Sequence, residues 1–239
     1  MTTSLDLLLQ DAKGLRDTIE AVCRSDAPLH ARLTAYERNL RALEPHFAEA
    51  YDALVAQLTA AKAGAAAPKV GDMMPEFVLP SRTGQLERLS GLLASGAQVI
   101  SFNRGYWCQF CEIELRALAQ AQQRIAAAGG GVTVITPDRL NFLNRISEPA
   151  MDEFTFLSDV DNGYALELGL VIWVGPQLQD MMRADGLDLA LFQGNGGWFL
   201  PLPATFVVNS DGRILARHVD PDYRKRMDIE AILTALRRA

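Results

Sequence analysis

Residues 102–115 run Phe102-Asn103-Arg104-Gly105-Tyr106-Trp107-Cys108-Gln109-Phe110-Cys111-Glu112-Ile113-Glu114-Leu115, directly after the short apolar segment Gln98 to Phe102. A brief apolar run bounded by a turn describes a buried strand, and the stretch from about Glu112 to Ala127 has the composition of a helix. A cysteine where a helix begins sits among unpaired backbone N–H groups at the positive end of the helix dipole. Both favour thiolate over thiol. Residues three apart on a helix have Cβ atoms about 5–6 Å from each other, so a modest side-chain adjustment closes a disulfide between Cys108 and Cys111. The segment therefore holds one activated nucleophile and one thiol to resolve its adduct, the minimum equipment for two-electron thiol chemistry.

Outward from this stretch, strands and helices alternate. Gly129 to Gly131 ends the helix, and Val132 to Thr136 is a second strand, followed by a helix around Arg139 to Ile146. Phe154 to Leu157 suits a third strand and Ala165 to Leu170 a short helix. Ala204 to Val208 and Arg213 to Val219 flank Ser210-Asp211-Gly212 as a hairpin, because an Asp-Gly turn supplies the positive φ angles of a tight reversal. Met227 to Arg238 closes with an amphipathic helix. This order implies an α/β sandwich around a mixed sheet.

The first part of the chain has only helical periodicity. Leu8, Ala12, Leu15, Ile19 and Val22 form one stripe, Leu33, Tyr36, Leu40 and Leu43 a second, and Phe47, Tyr51, Leu54 and Leu58 a third. Pro45 predicts a break near Glu44, with the proline opening the last helix. Gly64 to Pro68 has no side chains able to anchor it and divides the chain into a helical extension, residues 1–66, and an α/β domain, residues 67–239. The stripes have three destinations: each other, the α/β domain, or a second copy of the chain in a homodimer.

The chain has 239 residues, 49% apolar and 22% charged, which excludes a disordered or disulfide-scaffold protein. A net charge of −6 argues against nucleic acid or an anionic membrane as partner. No apolar run approaches the ~20 residues of a membrane span, and Asp6 and Asp11 bracket too short a core, Leu7 to Leu9, for an export signal. The expected address is cytoplasmic. There a chain with three cysteines is not building a disulfide framework, so the close pair points to redox chemistry or metal. Cys23, His30, His46 and His218 add no second paired spacing, and no metal or other cofactor is expected.

Gly71-Asp72-Met73-Met74-Pro75-Glu76-Phe77-Val78-Leu79-Pro80 resembles the opening of the alkyl hydroperoxide reductase/thiol-specific antioxidant family, whose members have a thioredoxin fold. The cysteine segment, Leu202-Pro203-Ala204-Thr205-Phe206-Val207-Val208 and Asp220-Pro221-Asp222-Tyr223 resemble its bacterial peroxiredoxin-like branch. Laid on peroxiredoxins, Cys111 takes the peroxide-attacking place and Glu114 that of the family's helix glutamate. Cys108 then stands where a threonine or serine is usual, Arg104 where a proline is usual, and the peroxide-binding arginine falls near Pro203. Laid on thioredoxins, Cys108 becomes the nucleophile, Cys111 the resolving thiol and Pro203 the cis-proline facing the disulfide. The second overlay accounts for both cysteines and the proline.

The resemblance implies an oxidoreductase acting on a disulfide or a hydroperoxide and recycled by an external thiol of thioredoxin or glutathione type. In the first form Cys108 attacks a disulfide and Cys111 releases the mixed disulfide. In the second, one thiolate is oxidised to sulfenic acid and the other condenses with it. A third reading is a redox-sensing module whose disulfide switches a partner contact. Trp107 and Arg104 are expected beside the cysteines as supporting residues, Trp107 shielding the disulfide.

Overall fold

The computed structural model describes residues 13–145 and 151–239, together with Leu5 and Leu9. Leu8 and Ala12 of the first stripe, Ile146 of the expected fourth-segment helix, and Asp6, Leu7 and Asp11 lie outside the described residues. In chain order the helices are α1 (Leu15–Arg24), α2 (Leu29–Leu43), α3 (Pro45–Ala60), α4 (Leu89–Leu93), α5 (Gln109–Gln120), α6 (Gln122–Ala127), α7 (Leu140–Leu143), α8 (Gly163–Glu167), α9 (Pro176–Ala184), α10 (Leu189–Gln193) and α11 (Ile229–Leu236). The strands are β1 (Val78–Pro80), β2 (Leu86–Arg88), β3 (Ala97–Phe102), β4 (Gly130–Thr136), β5 (Thr155–Ser158), β6 (Val171–Trp173), β7 (Phe199–Pro201), β8 (Ala204–Val208) and β9 (Ile214–Val219).

β3 is the axis of the molecule because all six of its residues are buried, as a strand covered on both faces must be. It pairs in parallel with β4, Val99 opposite Val132, and antiparallel with β8, Val99 opposite Val207. The five-stranded order β5-β4-β3-β8-β9 gives the mixed thioredoxin-like sheet, with α5 and α6 as the crossover that a parallel β3–β4 pair requires. Side chains alternate along the strands: Ile100, Phe102 and Phe206 pack with Phe77, Leu89 and Tyr164 on one face. On the other, Val99, Val134 and Val207 pack with Leu118, Ile125 and Ile232. The hairpin forms with one change from expectation. Only Gly212 takes positive φ (+85°), and the Asn209 side chain accepts from the N–H groups of Asp211 and Arg213 to close a longer loop. No helix among the described residues is long and apolar enough to cross a membrane.

Pro45 opens α3 and Glu44 breaks the helix, as its missing N–H dictates. Most described residues of the α1 and α2 stripes pack inside the chain: Ile19, Val22, Leu33, Tyr36 and Leu40 pack with Phe110, Ile113 and Ala117 of α5, while Leu43 is exposed. The Gly64–Pro68 segment is held after all. Ala67 is buried, and Arg217 Nη1 donates to the carbonyls of Ala67 and Pro68 at 3.0 and 3.1 Å. The Ala67 methyl joins the core with Phe77 and Leu89, and the backbone carbonyls complete the anchor. The helices thus sit directly over the cysteine-bearing end of α5.

Candidate active site

β3 delivers the chain to Asn103, and the turn through Gly105 ends at Cys108, the N-cap of α5, with Cys111 in its first turn. Gly105 is required there. At φ +139° a side chain is strained, and a Cβ would lie 2.7 Å from Trp107 Nε1 and 2.9 Å from Asp138 Oδ1. The two sulfurs meet 2.6 Å apart as unbonded thiols, Cys111 donating to Cys108. Each cysteine is only 2% exposed.

Two buried arginines flank the pair. Arg104 is sandwiched by aromatic rings, its guanidinium carbon 4.4 Å from the centroid of Tyr223, 4.8 Å from Trp107 and 5.0 Å from Tyr51. Its Nη2 donates to the Tyr51 hydroxyl at 2.7 Å. Burial works against its charge; the groups that offset this are Tyr51, Cys108, Tyr223 and Cys111, with no carboxylate among them. A buried cation without a carboxylate favours a thiolate nearby. Arg226 comes from the other side, its Nη2 3.4 Å from Cys111 Sγ and its Nε 2.6 Å from Glu114 Oε2. Glu114 is also buried, accepting from Ser101 Oγ at 3.1 Å and Thr205 Oγ1 at 3.3 Å, while Asn103 Nδ2 donates to Ser101 Oγ at 2.9 Å.

These surroundings separate the two thiols. Burial alone would raise the pKa of Cys108, but the hydrogen bond from Cys111 and the charges of Arg104 and Arg226 outweigh it and bring it down to about 6. Cys111 is pushed up, by burial and then by the hydrogen bond and charge it shares with Cys108. Asp138, behind the turn, accepts from the Tyr106 N–H at 2.6 Å; burial is the main cause that lifts its carboxyl to about 7. Because the thiolate is the reacting species, alkylation of Cys108 by iodoacetamide should rise with pH and reach half its maximum near pH 6. A midpoint at the ~8.5 of free cysteine would show that the arginines do not act on it.

Two cavities open onto Cys108. One, about 530 Å³, reaches both sulfurs and is edged by Arg16, Glu112, Arg116 and Arg145. The other, about 360 Å³, is mostly apolar and reaches Cys108 between Tyr36, Phe47, Phe110 and Tyr223.

Of the residues singled out from the sequence, Cys108, Cys111, Trp107 and Arg104 come together, with Glu114 behind Cys111. Pro203 does not join them as expected. Among the described residues no peptide bond is cis, and Pro203 instead borders a small cleft with Tyr51, Arg104 and Tyr223. Trp107 lies over Arg104, its Nε1 buried and without a hydrogen-bond partner among the described residues. Sequence reasoning missed Arg226 and Asp138, placed Tyr36 and Tyr51 only in helical stripes, and gave Tyr223 only as part of a family motif. The one usable signal was the nearness of Arg226 to the Asp220–Tyr223 motif.

A buried dithiol at a helix start, on a mixed sheet of this order, defines a thiol redox protein of thioredoxin-like fold. The family model described as AhpC/TSA family matches residues 70–217, and the chain belongs to that family. It is an oxidoreductase of that thiol-dependent, antioxidant kind. Peroxiredoxin Bcp of Escherichia coli is 24% identical over 169 residues, covering 71% of this chain and 96% of that protein. Among solved structures, peroxidoxin BcpB of Mycobacterium tuberculosis has a TM-score of 0.55 at 22% identity, over 71% of this chain and 97% of its own. Reduced Prx3 of Vibrio vulnificus in complex with H2O2 has a TM-score of 0.56 at 18% identity, over 71% and 99%. Helices α1 to α3 lie outside the family match.

Proposed function

We propose that the protein is a cytoplasmic, thiol-dependent hydroperoxide reductase in which Cys108 attacks the peroxide and Cys111 resolves the product. The observation that carries this reading is that two thiols, each 2% exposed, meet at the floor of cavities sized for small molecules. A protein disulfide must bring its sulfur into line with the attacking thiolate, which is only 2% exposed and shares the smaller cavity with the rings of Trp107, Tyr36 and Tyr223. A hydroperoxide has no such difficulty.

The chemistry balances in three steps. The Cys108 thiolate attacks the terminal oxygen of ROOH, the O–O bond breaks, and RO⁻ leaves and takes a proton to become ROH; Cys108 is now the sulfenic acid. The Cys111 thiol attacks that sulfur, an S–S bond forms, and water leaves. Two equivalents of an external thiol then return the disulfide to two thiols and are themselves oxidised. The larger cavity reaches both sulfurs, and its mixed edge of Arg16, Arg116, Arg145 and Glu112, in which Arg16 and Arg116 pair with Glu112, suits a small thiol carrying both charges, of glutathione type.

The test is steady-state consumption of a hydroperoxide by the full chain with glutathione or thioredoxin as reductant. Catalytic peroxide loss at micromolar enzyme is the expected result. Turnover of a model protein disulfide with no peroxide loss would replace this reading by the exchange reaction.

A further inference from the structure

The hydroxyl of Tyr36 is a buried donor with no hydrogen-bond partner among the described residues. Burying such a group unpaired is unfavourable, and a hydrogen-bond acceptor brought to it removes that cost. Tyr36 is 0% exposed, and its ring is held edge-on against Phe110 at a centroid distance of 5.0 Å. It belongs to α2, in the part of the chain outside the family match. It lines the cavity of about 360 Å³ that reaches Cys108, where Leu40, Phe47 and Tyr51 of α2 and α3 form an apolar wall and Glu44, Arg104 and Asp185 add charged groups. Burial, and then the charge of Cys108, raise the pKa of the phenol, which therefore keeps its proton beside a thiolate.

Cleavage of an O–O bond needs a hydrogen-bond donor aimed at the oxygen that departs with the negative charge. On the peroxiredoxin overlay the usual hydroxyl position is occupied here by Cys108 itself. We propose that Tyr36 is a catalytic residue whose hydroxyl donates to the departing oxygen of an organic hydroperoxide, the apolar group of which fills the cavity walled by Leu40 and Phe47. This rests on the hydroperoxide reading above. As the Cys108 thiolate takes the terminal oxygen, the proximal oxygen leaves as RO⁻ with the electron pair of the broken bond, receives the Tyr36 proton and departs as ROH. The phenolate regains a proton from water. Hydrogen peroxide reaches the same donor but leaves the apolar wall unused, so the wall sets a preference for bulky substrates.

The experiment compares kcat/KM for cumene hydroperoxide and for hydrogen peroxide in wild type, Tyr36→Phe and Phe47→Trp. Wild type should prefer cumene hydroperoxide. Tyr36→Phe keeps the ring and the Phe110 contact, and should lower kcat for both peroxides by about 10²-fold, the scale for loss of one oxyanion donor. Its iodoacetamide alkylation midpoint should stay near that of wild type, which separates a lost donor from a disturbed thiol. Phe47→Trp occupies the cavity and should lower the ratio of cumene hydroperoxide to hydrogen peroxide at least tenfold. Saturation-transfer NMR with 2-phenylpropan-2-ol, the product alcohol, should detect contact with the wild-type chain and lose it in Phe47→Trp. Peroxide turnover unchanged in Tyr36→Phe, with an unaltered ratio in Phe47→Trp, overturns the inference while leaving the hydroperoxide reading intact. A wild type that consumes neither peroxide overturns both.

Discussion

Cys108→Ser should abolish hydroperoxide consumption, a loss on the order of 10³-fold or more, because the thiol that remains, Cys111, has its pKa pushed up and stays protonated. Cys111→Ser should behave differently. It should consume about one equivalent of peroxide, stop, and leave a sulfenic acid on Cys108 that dimedone traps. The asymmetry follows from where the two sulfurs sit. Cys108 caps α5 and lines both cavities, whereas Cys111 lies one turn inside the helix and reaches only the larger one. Arg104 and Arg226 both favour the Cys108 thiolate, and Cys111 donates its own proton toward it. The peroxiredoxin overlay assigns the attack to Cys111, so the experiment decides between alignment and electrostatics. A sulfenic acid trapped on Cys111 of the Cys108→Ser variant, with peroxide loss at the wild-type rate, would reverse the roles.

The parts of this site that were legible in the sequence are those encoded locally. The apolar run before the turn, the three-residue cysteine spacing, the helix that follows and the proline at position 45 each express a constraint acting over a few residues. Ala204–Val208 was recovered to the residue because a β-branched run ending at a turn has one obvious reading. The strands β1, β2, β6 and β7 were not, since three residues are too few for a period to show. Arg226 lies 112 residues from Glu114 and 115 from Cys111, and Tyr51 lies 53 from Arg104. Those pairings exist only once the sheet is assembled. What holds the Gly64–Pro68 segment was hidden for a related reason, since Arg217 and the core around Ala67 lie far away in the chain.

Arg226→Met should be the most destabilising single change near the site, by about 3–5 kcal/mol. The reason is what it leaves behind. Glu114 is 2% exposed, and without Arg226 its carboxylate keeps only the hydroxyls of Ser101 and Thr205. For a chain of this length, each kcal/mol moves Tm by roughly 2–4 °C, so the drop should be on the order of 6–20 °C in a thermal melt. Arg226→Met combined with Glu114→Leu removes both charges and should recover at least about 2 kcal/mol of the loss, since the cost belongs to the unpaired charge rather than to the missing contact. A double variant no more stable than Arg226→Met alone would show that the pair is not the source. The same substitution has a chemical readout. The charge of Arg226 helps to hold the Cys108 pKa down to about 6, so the alkylation midpoint should move upward in Arg226→Met and much less in Arg226→Lys, which keeps the charge. Stability and reactivity should therefore separate in the lysine variant. It loses the Nε and Nη2 geometry that serves Glu114 and Cys111 together, yet retains the positive potential that activates the nucleophile.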